Sequence, residues 1–155
     1  MKASTGVYGL AAAAFASLAS AASPYWYITT LRTFETTSTT FASSLQFNFE
    51  DASISLITTC KYANAPGSGR PATVLTPTAC ENPQVKFTYI QTSHSTGQIS
   101  ITLEHLNGAG NLQGVQNGTG IADLACQQEE SQSGTTCYAE NTEIIPGTEA
   151  GSPSF

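Results

Sequence analysis

The sequence predicts an all-β protein: a small antiparallel β-barrel or sandwich with two intrachain disulfides. Three observations predict it. Short runs rich in Val, Ile, Thr, Tyr and Phe alternate at period two between turns bearing glycine, proline or asparagine. No amphipathic helix and no internal repeat follow residue 22. Four cysteines, Cys60, Cys80, Cys126 and Cys137, make an even set of the kind that frames small secreted domains.

The chain opens on a targeting segment. Lys2 supplies a charged start, Leu10 to Leu18 a short apolar core, and Ala19-Ser20-Ala21 or Ser20-Ala21-Ala22 a small-x-small cleavage pattern. The apolar run is too short to span a bilayer. Residues 1–22 are therefore expected to be a signal peptide, residues 23–140 a β-barrel domain and residues 141–155 a flexible C-terminal tail. The expected localisation is secreted and extracellular.

Tyr25 to Leu31 reads as the first strand, with Trp26, Ile28 and Thr30 on one face and Tyr25, Tyr27 and Thr29 on the other. Thr33 to Ser44 is dense in hydroxyls and reads as a loop or polar edge strand. Leu45, Phe47 and Phe49 alternate inward, Glu50-Asp51-Ala52 makes a turn, and Ile54 to Cys60 returns as a strand. Lys61 to Ala79 is expected to be a loop, because Pro66-Gly67-Ser68-Gly69-Arg70-Pro71 cannot continue a strand.

Val85-Lys86-Phe87-Thr88-Tyr89-Ile90 and Gln98-Ile99-Ser100-Ile101-Thr102-Leu103 flank a polar turn containing Gly97 and predict the central hairpin. Its turn, Thr92 to Gly97, is the part nominated for recognition. Leu112 to Ala125 carries sparse apolar residues broken by Gly114, Gly118 and Gly120, and predicts one or two irregular strands. Cys126 to Cys137 encloses a polar hairpin tip.

The cysteine spacings contain no Cys-x-x-Cys, and neither histidine lies close to a cysteine, so no zinc site and no other metal or cofactor is expected. Four cysteines allow three pairings, which spacing alone leaves open. Sequential pairing would close short loops, each stabilising by about 3 kcal/mol in the chain-entropy model.

The formal net charge is −6, one unit more negative once Lys2 leaves. The remaining basic residues, Arg32, Lys61, Arg70 and Lys86, are scattered. That disfavours nucleic acid or an anionic membrane as partner.

No residue set specifies a reaction. Glu50-Asp51 and Glu129-Glu130 are adjacent pairs whose side chains diverge on a strand, and they read as solvated turn charges. His94 falls in the hairpin turn and His105 at a strand end. Gly67-Ser68-Gly69 lacks the spacing of a nucleophile elbow. Gly108-x-Gly110 and Gly118-x-Gly120 open no helix, so no phosphate cradle is implied. The protein is expected not to be an enzyme. Asn117-Gly118-Thr119 is an N-glycosylation acceptor, with Asn117 the modified residue. Tyr25, Tyr27, Tyr62 and Tyr89 are candidates for a ligand or glycan platform.

Several segments together resemble the Alternaria major-allergen-like proteins of fungi, also called AA1-like domain proteins. They are Trp26-Tyr27-Ile28, Ser44-Leu45-Gln46-Phe47-Asn48, Cys60 ending a strand, Cys80-Glu81-Asn82 leading into Val85-Lys86-Phe87, and the closing Cys126 and Cys137. The resemblance implies a secreted β-barrel of about ten or eleven strands with pairs Cys60–Cys80 and Cys126–Cys137. It implies an allergen-like or effector/elicitor role through binding an extracellular host protein, such as a defence protein of the thaumatin-like class. Binding of small phenolic ligands is a further family attribute. Residues 23–59 lack the family's cysteine that links two subunits, so a covalent dimer is not expected. The loop from Lys61 to Ala79 is also long for the family.

Overall fold

A computed structural model describes residues 26–68, 72–147 and 150–151. Residues 1–22, expected to be a signal peptide, and also Tyr25 and Arg70, lie outside the described residues. The strands form two five-stranded antiparallel sheets. The first runs β3 (Leu56–Ala63), β2 (Ser44–Asp51), β1 (Trp26–Thr36), β9 (Gly134–Ile144), β8 (Ala125–Glu129). The second runs β10 (Ala150–Gly151), β7 (Leu112–Asp123), β6 (Thr96–Leu106), β5 (Val85–Ser93), β4 (Val74–Ala79). The architecture is a sandwich; the sheets do not join into a closed barrel.

The core lies between the inner faces. Phe47 and Phe49 of β2 and Trp26 and Ile28 of β1 meet Val85, Phe87 and Tyr89 of β5 and Ile99 and Ile101 of β6, all essentially inaccessible. Phe47 packs edge-on to Phe87 across the sheets, with ring centroids 5.0 Å apart. Trp26 packs likewise on Phe49 at 5.2 Å. Such pairs add about 0.5–1.5 kcal/mol each beyond their buried area. The Cys60–Cys80 and Cys126–Cys137 disulfides are both present.

The strands depart from the sequence reading where one local feature outweighs another. β1 continues through the hydroxyl-rich Thr33–Thr36 segment and lies centrally, because Thr33 and Thr36 are buried between β2 and β9. Ala63 still belongs to β3, and β4 occupies the end of the expected Lys61–Ala79 loop. Pro77 is tolerated there because β4 is an edge strand whose register shifts between Val74 and Thr78.

Gly97 is not a turn residue. It sits inside β6, where a Cβ would meet the Tyr89 hydroxyl at 2.6 Å. The turn is the tight His94–Ser95 connection. The glycines that suggested irregularity in Leu112–Asp123 lie in one continuous strand. Much of the segment assigned to the tail is structured: Asn141–Ile144 complete β9, Ile144 is fully buried, Pro146 bridges to Gly118, and Ala150–Gly151 pair with β7.

Asp51 is not a solvated turn charge. It is 2% exposed, and the Trp26 Nε1–H donates to its Oδ2 at 2.9 Å. Its Oδ1 accepts from the Ser53 N–H at 2.9 Å and from the Ser53 hydroxyl at 2.6 Å. The carboxylate is thus held by three donors, which offset the cost of removing it from water.

The expected alternation of β1 also fails at one point. Trp26 and Ile28 face the core, but so do Leu31 and Thr33, and Thr30 is exposed. Thr30 has φ 54°, and β1 shifts register against β2 between Thr29 and Arg32. This is a β-bulge that reverses which residues face inward. β9 reverses at the same level: Ile144 and Thr142 face in, Asn141 and Glu140 are both exposed, and Ala139 and Cys137 face in. Pairing between β1 and β9 keeps one register on either side of this point.

Candidate functional site

Two regions of the surface gather functional groups. The first is the end of the sandwich where β1 leaves the core and the β5–β6 turn folds over. A cleft of about 350 Å³ runs between Glu35, Thr36, Gln128, Ser133 and Thr135. A second, of about 290 Å³, lies between Glu35, Thr73, Gln91, Thr92 and His94. They adjoin at Glu35. The turn is anchored rather than free: the Leu124 N–H donates to Ser95 O at 2.8 Å, and the Cys126 sulfur lies 3.0 Å from the His94 carbonyl oxygen.

Burial raises the Glu35 carboxyl above its ordinary pKa of 4.5, and the positive potential of His94 opposes that rise. Beneath it, burial and then the Glu35 charge push the Tyr89 hydroxyl up to about 12. The nominated turn therefore does border a polar cleft, through Thr92 and His94. Glu35, the central group of that end, had no distinguishing mark in the sequence.

The second region is on the outer face of the first sheet, at the level where β1 and β9 both reverse. A cleft of about 610 Å³ is lined by Thr30, Leu31, Arg32, Tyr138, Ala139 and Glu140. Arg32 and Tyr138 are direct cross-strand partners. The Arg32 guanidinium lies over the Tyr138 ring, 5.6 Å from its centroid, a cation–π arrangement. The bulge makes this cleft, because it turns Thr30 outward and brings Arg32 onto the outer face.

A fourth groove, of about 310 Å³, runs along Ser44, Gln46, Lys61 and Tyr62. None of these four clefts is lined by more than one carboxylate. Glu129 and Glu130 sit at the β8 end, with Glu130 opening a single 3-10 turn, and do not converge.

The candidate tyrosines are distributed. Tyr89 is a core residue, Tyr62 borders the fourth groove, and Tyr27 is a half-buried partner of Glu50 and Glu143 in the ladder. Tyr138, absent from the candidates, is the tyrosine beside a cation. His105 is half-buried near the end of β6, far along the strand from His94.

No protein-family model matches the chain, and a search of curated proteins finds no match for it.

Asn117 is exposed on the outer face of the second sheet. Its Oδ1 accepts from the Thr102 hydroxyl at 2.7 Å. Thr119, the hydroxyl residue of the acceptor motif, is also exposed and pairs with Ser100 at 3.0 Å. Both recognition groups of the motif thus face solvent on a regular strand. The same face carries Ile121, 56% exposed, and Ile90, 41% exposed, on either side of Gln98.

Among the described residues, no cluster of three or more histidine, cysteine, aspartate or glutamate side chains could hold a metal. The two disulfides are compatible with an oxidising, extracellular setting.

Proposed function

We propose that this chain is a secreted, non-enzymatic fungal protein of the allergen-like or effector/elicitor kind that binds an extracellular host protein. The carrying observation is the outer face of the second sheet. Its rows Thr88–Ser100–Thr119 and Thr102–Asn117 adjoin a row in which exposed Ile90 and Ile121 flank Gln98, giving a flat hydroxylated surface with an aliphatic end. The ionic groups beside it, Lys86 and Glu104, are already paired with each other, and such a surface suits a protein partner. The signal-peptide pattern, the disulfide frame and the family resemblance support the same reading. A defence protein of the thaumatin-like class is the partner that the resemblance suggests.

Calorimetric titration with a purified thaumatin-like protein tests this reading. Saturable binding by the native chain that is lost in Ile121→Lys supports it. Absence of heat with such proteins, and of specific capture from host apoplastic extract, removes it. Digestion with an N-glycosidase is a necessary companion. A glycan on Asn117 would stand four residues from Ile121, on the same face of β7, and cover the proposed surface.

A second reading, a small-ligand module, is favoured by one specific observation: the cleft where Arg32 lies over Tyr138.

A further inference from the structure

The cleft at the reversal of β1 and β9 holds two opposite charges that do not satisfy each other. Lys61 pairs with Glu81 at 3.0 Å, and Lys86 pairs with Glu104. Arg32 is the remaining described basic residue of the sandwich, and it has no carboxylate within 4.0 Å among the described residues. Its described neighbour is the Tyr138 ring. Glu140 lies two residues along β9 from Tyr138 and lines the same cleft as Thr30. Diagonal positions on neighbouring strands are about 7–8 Å apart, within reach of two long side chains, yet the two charges stay separate. Between them the cleft is bounded by Leu31, Ala139 and the tyrosine ring.

The backbone beneath is held in a conformation that its residue disfavours. Thr30 is β-branched and sits at φ 54°. That conformation costs on the order of 1–2 kcal/mol for a residue with a Cβ. Strain of this kind persists where the surrounding structure fixes a particular geometry. Here it fixes the outward placement of Arg32 beside Tyr138.

We propose that this cleft binds a small zwitterion with an apolar body, the chemistry of a free α-amino acid with an aliphatic side chain. The inference rests on the small-ligand reading and names its ligand class. The ligand carboxylate takes the forked donors of the Arg32 guanidinium, whose geometry matches it. The ligand ammonium meets the Glu140 carboxylate. The aliphatic part rests on the exposed Tyr138 ring.

Charge complementarity selects this class. A neutral apolar ligand leaves both protein charges unpaired, and a simple anion is repelled by Glu140. A chain terminus of a partner protein offers one of the two charges only. The cleft volume is within the range of small-molecule sites.

The test uses the folded, disulfide-bonded protein and nuclear magnetic resonance titration with L-leucine, leucinamide, N-acetyl-leucine and 4-methylpentan-1-ol. Leucinamide lacks the carboxylate, N-acetyl-leucine lacks the ammonium, and the alcohol lacks both. Leucine is expected to shift resonances of residues 30–32 and 138–140. Each singly charged analogue is expected to bind roughly tenfold more weakly or worse. Arg32→Gln should erase the preference for leucine over leucinamide, and Glu140→Gln the preference over N-acetyl-leucine. Both positions are exposed, so unchanged circular dichroism is expected.

If all four compounds shift the same resonances with equal affinity, the cleft is a small-ligand site without zwitterion recognition. That result overturns the inference and leaves the small-ligand reading standing. If none shifts these resonances, both are overturned. Undiminished leucine preference in Arg32→Gln also overturns the inference.

Discussion

The two seams where the sheets of this sandwich approach each other are closed by different means. On one side the Cys60–Cys80 bond holds β3 from its middle, and the chain after Cys80 is tied back to it. The Glu81 N–H donates to Thr59 O at 2.9 Å, and the Asn82 N–H donates to the Thr58 hydroxyl at 2.8 Å. On the other side β7 and β9 meet without a covalent link. A Cβ on Gly118 would lie 2.5 Å from Ile144 Cγ2 and 3.2 Å from the Trp26 ring; one on Gly120 would lie 2.7 Å from Ile144 Cγ1. A bond sets the distance at the first seam, so ordinary side chains can surround it. Direct contact sets it at the second, so the approaching strand must give up its side chains. A disulfide and a pair of missing Cβ atoms thus do the same structural work.

Breaking the covalent seam should have the largest effect. The double variant Cys60→Ala/Cys80→Ala loses about 3 kcal/mol of loop constraint and the packing of two buried sulfurs. A loss of about 4 kcal/mol in denaturant unfolding is expected, and a loss under 1 kcal/mol would show that this seam holds without its bond. The contact seam should give way to a single methyl group. Gly118→Ala drives Ile144 toward Trp26, where neither can move into solvent, and overpacking of this kind costs about 1–3 kcal/mol. Equal stability of Gly118→Ala and native protein would mean that β7 stands off β9 in solution.

Away from both seams, Thr30→Gly should stabilise the protein by about 1 kcal/mol, because glycine accepts φ 54° without a Cβ clash. A destabilised Thr30→Gly would indicate that the Asn48 Nδ2–H, which donates to the Thr30 hydroxyl at 3.2 Å, matters more than the backbone.

The last effect is confined to alkaline pH. The Tyr89 hydroxyl titrates near 10 when unfolded and near 12 in the fold. Its protonated form is therefore favoured by folding, and its contribution is complete below pH 10. That contribution is lost as pH rises from about 10 to about 12. Tyr89→Phe should remove this part of the alkaline loss while the seam variants retain it; identical alkaline profiles would refute the assignment.

Much of the frame was written locally. The alternation in Leu45-Gln46-Phe47-Asn48-Phe49 and in Val85 to Ile90 is strict, and those strands form with the predicted faces. The glycines misled because their role is tertiary. Gly97 makes room for Tyr89, and Gly118 and Gly120 for Ile144, none of which is near in sequence. Asp51 misled for the same reason, its donor Trp26 being 25 residues away. One signal for the outer-face cleft was present. Ile28 and Leu31 are three apart, which a strand of period two cannot place on one face without a bulge. Tyr138 and Glu140 join that cleft only through the β1–β9 register, which no local pattern encodes.

The matched reversal in β1 and β9 has a consequence for assembly. A strand with uniform alternation can slide by two residues and still present its apolar side inward. These two cannot. Each changes face, β1 at Thr30 and β9 at Glu140–Asn141, and these changes must coincide for the residues on both sides to stay buried. Any slide of β1 along β9 would set a buried stretch of one strand beside an exposed stretch of the other. The dislocation is a built-in gauge: it lets the two long central strands of the first sheet pair in one alignment and rejects their near neighbours.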